Sequence, residues 1–280
     1  MREKPREENF QKEGTKTLEG EDSFERKRTN FFSKIALHTK DALKMHKRAG
    51  LWEKKEGRRD WGNVSEHCLV VVARAMVLAE KLNLSEDIKK DIAMAAALHD
   101  FFKKGQKEVV TAGGLTWDSF EAASKESARQ VQEAGFDERI VRLVNSTGAE
   151  DSIQDVENVL KQKKLSEEDA ASLILHYVDD YTIGSDWANP VESLSDGRQI
   201  NDLDRRVDKN ISNQRYAILN EEGKKHFHGQ TLYDAQRRVG HLNEERLVDL
   251  INEKGGQLIN PKDLPYLIDQ EIKAKIEAQN

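Results

Sequence analysis

Cysteine, proline and long apolar runs are scarce in this chain. Its one cysteine, Cys68, cannot close an internal disulfide, so the fold must be held together by its core. Four prolines are present and none falls between Pro5 and Pro190, which suits a long helical region with few breaks. No apolar stretch approaches the roughly 20 residues of a spanning helix, and MREKPREENF lacks the apolar centre of a signal peptide. A cytoplasmic protein without membrane attachment is expected. A basic excess is also missing: 45 Lys and Arg face 51 Asp and Glu, for a net charge of −6, which disfavours nucleic acid as the main partner.

What is present is enough apolar material, 37% of 280 residues, to bury a sizeable core as one domain with extensions. Residues 1–29 alternate charges with few apolar side chains besides Phe10, Leu18 and Phe24, and are expected to be a disordered leader. From Asn30 to Ala49 apolar residues recur at helical spacing up to Gly50. His38 and His46 on this segment read as surface or boundary histidines. A basic loop, LWEKKEGRRDW, follows.

The stretch from Asn63 to Asp100 reads as two apolar helices. On the first, Val64, Val71, Ala75, Leu78 and Leu82 share a face with His67 beside them. Asn83 closes it, and Ser85 with Glu86 and Asp87 opens the second, which ends at the doublet His99, Asp100. An antiparallel hairpin brings the head of one helix to the tail of the other. Two imidazoles and a carboxylate then converge as ligands for one divalent ion.

A fourth ligand is found in SLILHYVDDY, on a helix that opens at Ser166 with a capping box using Asp169. Asp179 lies roughly 40 degrees past the apolar Leu175, whereas Asp180 points away from the stripe. Geometry favours Asp179. His176 and Asp180, one turn apart, read first as a surface pair, and otherwise as a pair supporting the site or as proton donor and acceptor. Further helices are expected at 118–134, 137–145, within 152–163, and more weakly at 202–220, 231–239, 244–253 and 261–278. His226 and His228 read as a chance pair.

The order His, His-Asp, Asp resembles the HD-domain metal-dependent phosphohydrolases over residues 31–185. NVSEH is similar to the first motif of their 5'-deoxynucleotidase branch, and LHDFFK to the family's second motif. The resemblance implies an all-α HD-domain helical bundle at 30–185, and the weaker helical segments beyond it are expected to form a helical C-terminal extension at 186–280. It implies metal ligands His67, His99, Asp100 and Asp179 around one divalent ion per chain, drawn from Mn, Fe, Co, Ni, Zn or Mg. The substrate would be a small phosphorylated molecule, a nucleotide or a related metabolite, attacked by a metal-activated water. Asp100 and Lys103 are the catalytic candidates, and Arg58, Arg59, Trp61 and Lys103 the candidates for binding the phosphate and its organic group. Lys103 stands where many relatives carry lysine but the deoxynucleotidase branch carries glutamate. Homo-oligomerisation is left open. Two other readings are an HD-fold regulatory module without turnover and an RNA-processing hydrolase with a groove built on Arg58, Arg59, Lys103 and Lys104.

Overall fold

The two apolar stretches on either side of Asn83 fold back on each other. In the computed structural model, which describes residues 10–51, 54–55, 58–59, 62–113, 115–147, 150–183, 202–255 and 258–279, they form α3 (Gly62–Lys81) and α4 (Glu86–Leu98). Asn83 takes φ of 50°, a left-handed conformation that its short polar side chain tolerates. Leu84 N–H then reaches Ala79 O at 3.0 Å and Asn83 N–H reaches Glu80 O at 2.9 Å, the paired bonds of a Schellman closure. Ser85 sits at the start of α4 as expected, but its hydroxyl donates to Glu167 instead of capping its own helix.

Glu167 belongs to α9 (Glu167–Tyr181), whose capping box between Ser166 and Asp169 forms with both bonds in place. These three helices enclose the centre of the core. Ala75, Leu78, Ile92, Ala95, Ile174 and Val178 are fully buried there. Each such aliphatic side chain larger than alanine contributes about 1.5–3 kcal/mol, and the alanines let the helix axes approach closely.

Around this centre lie α1 (Phe10–His38), α2 (Lys40–Arg48), α5 (Lys103–Gly113), α6 (Trp117–Glu133), α7 (Glu138–Asn145) and α8 (Glu150–Leu160), with α10 (Leu203–Ile211), α11 (Ala217–Glu222), α12 (Leu232–Glu253) and α13 (Leu264–Glu277) from the C-terminal third. A ribbon of β1 (Lys54–Lys55) and β2 (Arg58–Arg59) is the only sheet among the described residues. The all-α expectation holds.

Two expectations need correction. The leader is not separate through Thr29: residues 10–38 form one helix, and Phe24, Phe31, Phe32 and Ile35 already pack on the core. Those apolar positions find a partner in α13, where Lys27 Nζ also donates to Glu277 O at 2.8 Å. The segments 231–239 and 244–253 are one helix, because Gly240 is no break. Leu203 of α10 packs so closely that a Cβ at Gly240 would lie 2.5 Å from it. The C-terminal extension is helical as expected, and its helices share one hydrophobic core with those before residue 185, through Val207, Leu247, Ile268 and Ile272.

Candidate metal centre

His67 projects from the second turn of α3, His99 caps the C-terminus of α4 with Asp100 in the following turn, and Asp179 comes from the last turn of α9. Because α3 and α4 run antiparallel and both pack on α9, these ends meet. His67 Nε2 lies 3.1 Å from Asp179 Oδ1, His99 Nε2 lies 3.2 Å from the same oxygen, and the two Nε2 atoms are 3.3 Å apart. Asp100 Oδ2 is 4.0 Å from His99 Nε2. His67, His99 and Asp100 form a group of potential donors within 4.8 Å of one another.

The near-equilateral triangle of His67, His99 and Asp179 donors is informative. Ligands bound to one ion at about 2.0–2.1 Å, at angles between octahedral and tetrahedral, stand roughly 2.9–3.4 Å apart. All three separations fall in that range. His99 Nδ1 donates to Ala96 O at 2.7 Å, which leaves Nε2 as the lone-pair atom facing the cluster. The donor set therefore fits a divalent ion. His67, His99 and Asp179 would hold it, with Asp100 completing the set.

Charges in the site follow from this crowding. Burial opposes ionisation of Asp100, yet the Lys103 ammonium and His99 draw its carboxyl down to about 2. Lys103 Nζ sits 3.1 Å from Asp100 Oδ1, and that carboxylate holds its ammonium charged. Asp179, also buried, is held well below the usual carboxylate range by His99 and His67. Burial works against a charge on His99, but Cys68 and Asp179 raise its proton affinity well above the ordinary imidazole value.

A raised imidazole stabilises the metal-free fold fully below about pH 6.5, and that contribution fades as pH rises through the folded value. A bound ion must displace the same proton. Metal affinity is therefore expected to tighten from about pH 6 to about pH 8. Calorimetric titration with Mn at both pH values checks this, and equal affinities would contradict it.

Two histidines expected at the surface lie inside. His46 is fully buried: Nε2 donates to Ala97 O at 2.6 Å and Nδ1 meets Ser65 Oγ at 3.0 Å. It ties α2 and α3 to the end of α4 two residues before His99, so it braces the site without joining it. His176 and Asp180 face each other at 3.2 Å, also buried, because α12 covers that side of α9 and Gln236 donates to Asp180 at 2.6 Å. Burial pushes the Asp180 carboxyl up against the pull of His176. His38 is exposed as expected, and Cys68 is a fully buried core residue. His226 stacks on Trp117 at 4.1 Å and His228 sits exposed at φ of 53°, so that pair forms no site.

Of the expected phosphate-binding residues, Lys103 lies at the cluster. Trp61 and the side chains of Arg58 and Arg59 lie outside the described residues. Sequence reasoning missed the other side of the site. A cavity of about 160 Å³ borders His99, Asp100, Lys103 and Asp179, and its far wall includes Arg206, Tyr216, Tyr233 and Gln236 from the C-terminal third. Those residues carry no motif, so only the packing of α10 and α12 on α9 reveals them.

The family model described as HD domain matches residues 64–209, just over half of the chain and the whole of the cluster. No curated protein and no solved structure matches the chain. Among the described residues, no helix is long and apolar enough to cross a membrane.

Proposed function

This chain belongs to the HD domain family, within a superfamily of metal-dependent phosphohydrolases, and from that premise we propose that it hydrolyses a small phosphate ester, a nucleotide or a related metabolite, at the cluster of His67, His99, Asp100 and Asp179. The observation that carries the reading is the triangle of donors at 3.1, 3.2 and 3.3 Å beside a cavity. When bound, a divalent ion supplies a Lewis acid for the phosphoryl oxygen and makes water a stronger nucleophile near neutral pH.

The chain's own residues do the positioning. The bond from His99 to Ala96 O fixes which imidazole nitrogen faces the cluster. Asp100, ionised and held by Lys103, stays an acceptor at any working pH. Lys103, its side chain 43% exposed, presents an ammonium at the cavity edge where a phosphoryl oxygen would lie. The apolar residues at the cavity, Phe120, Leu219 and Leu232, limit water around the organic group.

Metal analysis of the purified protein, followed by phosphate release from a panel of phosphate esters with Mn, Co, Mg and Zn added back, tests the reading. The expected result is about one equivalent of metal and turnover of one substrate class. Metal bound without turnover across the panel would favour a regulatory module on the same scaffold. Failure to bind any of the four metals would remove the basis of the reading.

A further inference from the structure

We propose that Arg206, on α10, recognises the phosphoryl dianion of a phosphate monoester. This inference rests on the hydrolase reading above and narrows its substrate class from phosphate esters in general to monoesters.

Arg206 lines the same cavity as His99, Asp100, Lys103 and Asp179. It is half-buried, and its guanidinium makes no hydrogen bond and no close ion pair among the described residues. Other arginines of the fold are engaged: Arg74 with Asp269, Arg129 with Glu126 and Glu133, Arg237 with Asp204 and Asp208. A half-buried guanidinium with no close protein partner keeps its donors open to a ligand that enters the cavity. It shares the lining of that cavity with Asp180, the residue after the proposed ligand Asp179, and with Tyr233 and Gln236.

A second polar group in the cavity is also unspent. Ser127 of α6 lines it, is 5% exposed, and its hydroxyl has no hydrogen-bond partner among the described residues. A cation and a hydroxyl held ready on opposite elements suit a ligand with an anionic group and a polar body.

Charge selects among phosphate esters. With a divalent ion offsetting Asp100 and Asp179, and with Asp180 facing His176 and Gln236, Lys103 and Arg206 leave the lining of the cavity net positive. A monoester carries up to two negative charges near neutral pH and presents three unsubstituted oxygens, whereas a diester carries one charge and presents two. The planar guanidinium binds two oxygens at once, which a monoester offers beyond those facing an ion.

The test uses the metal-loaded full chain and the variants R206A and R206K. Calorimetry with inorganic phosphate is read beside turnover of 4-nitrophenyl phosphate and bis(4-nitrophenyl) phosphate. R206A is expected to weaken phosphate binding and raise KM for the monoester by about 10- to 100-fold, as for a lost charge-assisted hydrogen bond. Diester kinetics should change less, and R206K should recover part of the loss. Metal content and melting temperature should match the wild type, since Arg206 holds no other side chain in place.

Phosphate affinity and monoester KM within about twofold of wild type in R206A would overturn the role of Arg206 while leaving the hydrolase reading intact. If the wild type hydrolyses neither ester, the hydrolase reading fails on these substrates and the phosphate titration alone decides on Arg206. Phosphate that does not bind the metal-loaded wild type, or binds R206A equally well, would overturn the inference.

Discussion

Replacing His99 with alanine is expected to remove bound metal and turnover together. Its Nε2 stands 3.2 Å from Asp179 and 3.3 Å from the His67 nitrogen, so it is a corner of the donor triangle. Loss of a partner that merely orients a ligand typically weakens metal binding about 10- to 100-fold. Loss of the ligand itself should exceed the upper end of that range. Asp100→Ala should follow the same course through a different route. It removes the carboxylate near the ion and leaves Lys103 without its 3.1 Å partner, so a cation is left where a divalent ion must enter. The measurement is metal content after dialysis against buffer with a weak chelator, alongside phosphate release. Retained metal and turnover in the Asp100 variant would defeat the assigned ligand set. His228→Ala, in an exposed turn away from the cluster, serves as the control and should retain both.

Arg74→Ala should cost about 3–5 kcal/mol of stability, the range for breaking a buried ion pair from one side. Arg74 is fully buried within α3. Its Nε and Nη2 each donate to Asp269 of α13 at 2.9 Å, its Nη1 donates to Thr182 just after α9 at 2.8 Å, and its guanidinium carbon lies 4.7 Å from the centre of the Tyr181 ring. One side chain therefore joins three elements. Burial already pushes the Asp269 carboxyl up, and removing the guanidinium would leave that group with no counter-charge. Chemical denaturation of the wild type and Arg74→Ala gives the loss directly. Removing both charges, Arg74→Met with Asp269→Leu, should recover most of it, since an apolar pair of similar volume avoids the desolvation penalty. A loss below about 1 kcal/mol in the single variant would mean that water reaches the pair.

The two predictions differ in how far the sequence foretold them. That His67 and the His99–Asp100 doublet meet was legible because local rules place them, whereas the choice of Asp179 leaned also on the family resemblance. Residues three, four and seven apart share a helix face, Asn83 and Ser85 mark where one helix stops and the next starts, and two antiparallel helices bring opposite ends together. The helical wheel separated Asp179 from its neighbour Asp180 for the same reason. Arg74 had no such signal. A charged residue on an apolar helix reads as an exposed position until its partner is known, and that partner lies 195 positions along the chain.

The same distinction explains the histidines. On a wheel, His46 falls within the apolar side of its helix, whereas His176 and Asp180 lie on the side opposite the stripe, which is solvent-facing unless another element covers it. His46 is covered because α2 lies against the end of α4, where Ala97 O, 51 positions away, accepts its hydrogen bond. His176 and Asp180 are covered because α12 packs on α9.

By itself the sequence determined the helical class, the boundaries of most helices, and the hairpin that sets His67 beside His99 and Asp100, because these depend on contacts within a helix or between two helices joined by a short turn. Only the tertiary structure decided that the C-terminal third shares the core, that α10 and α12 wall the cavity beside the ion site, and that Arg206 faces into it. Those outcomes depend on which of several amphipathic faces pair. Many pairings bury similar apolar area, and complementary details decide among them, such as the close approach of Leu203 to Gly240, the bond from Asn243 to Leu173 O and the Arg74–Asp269 pair.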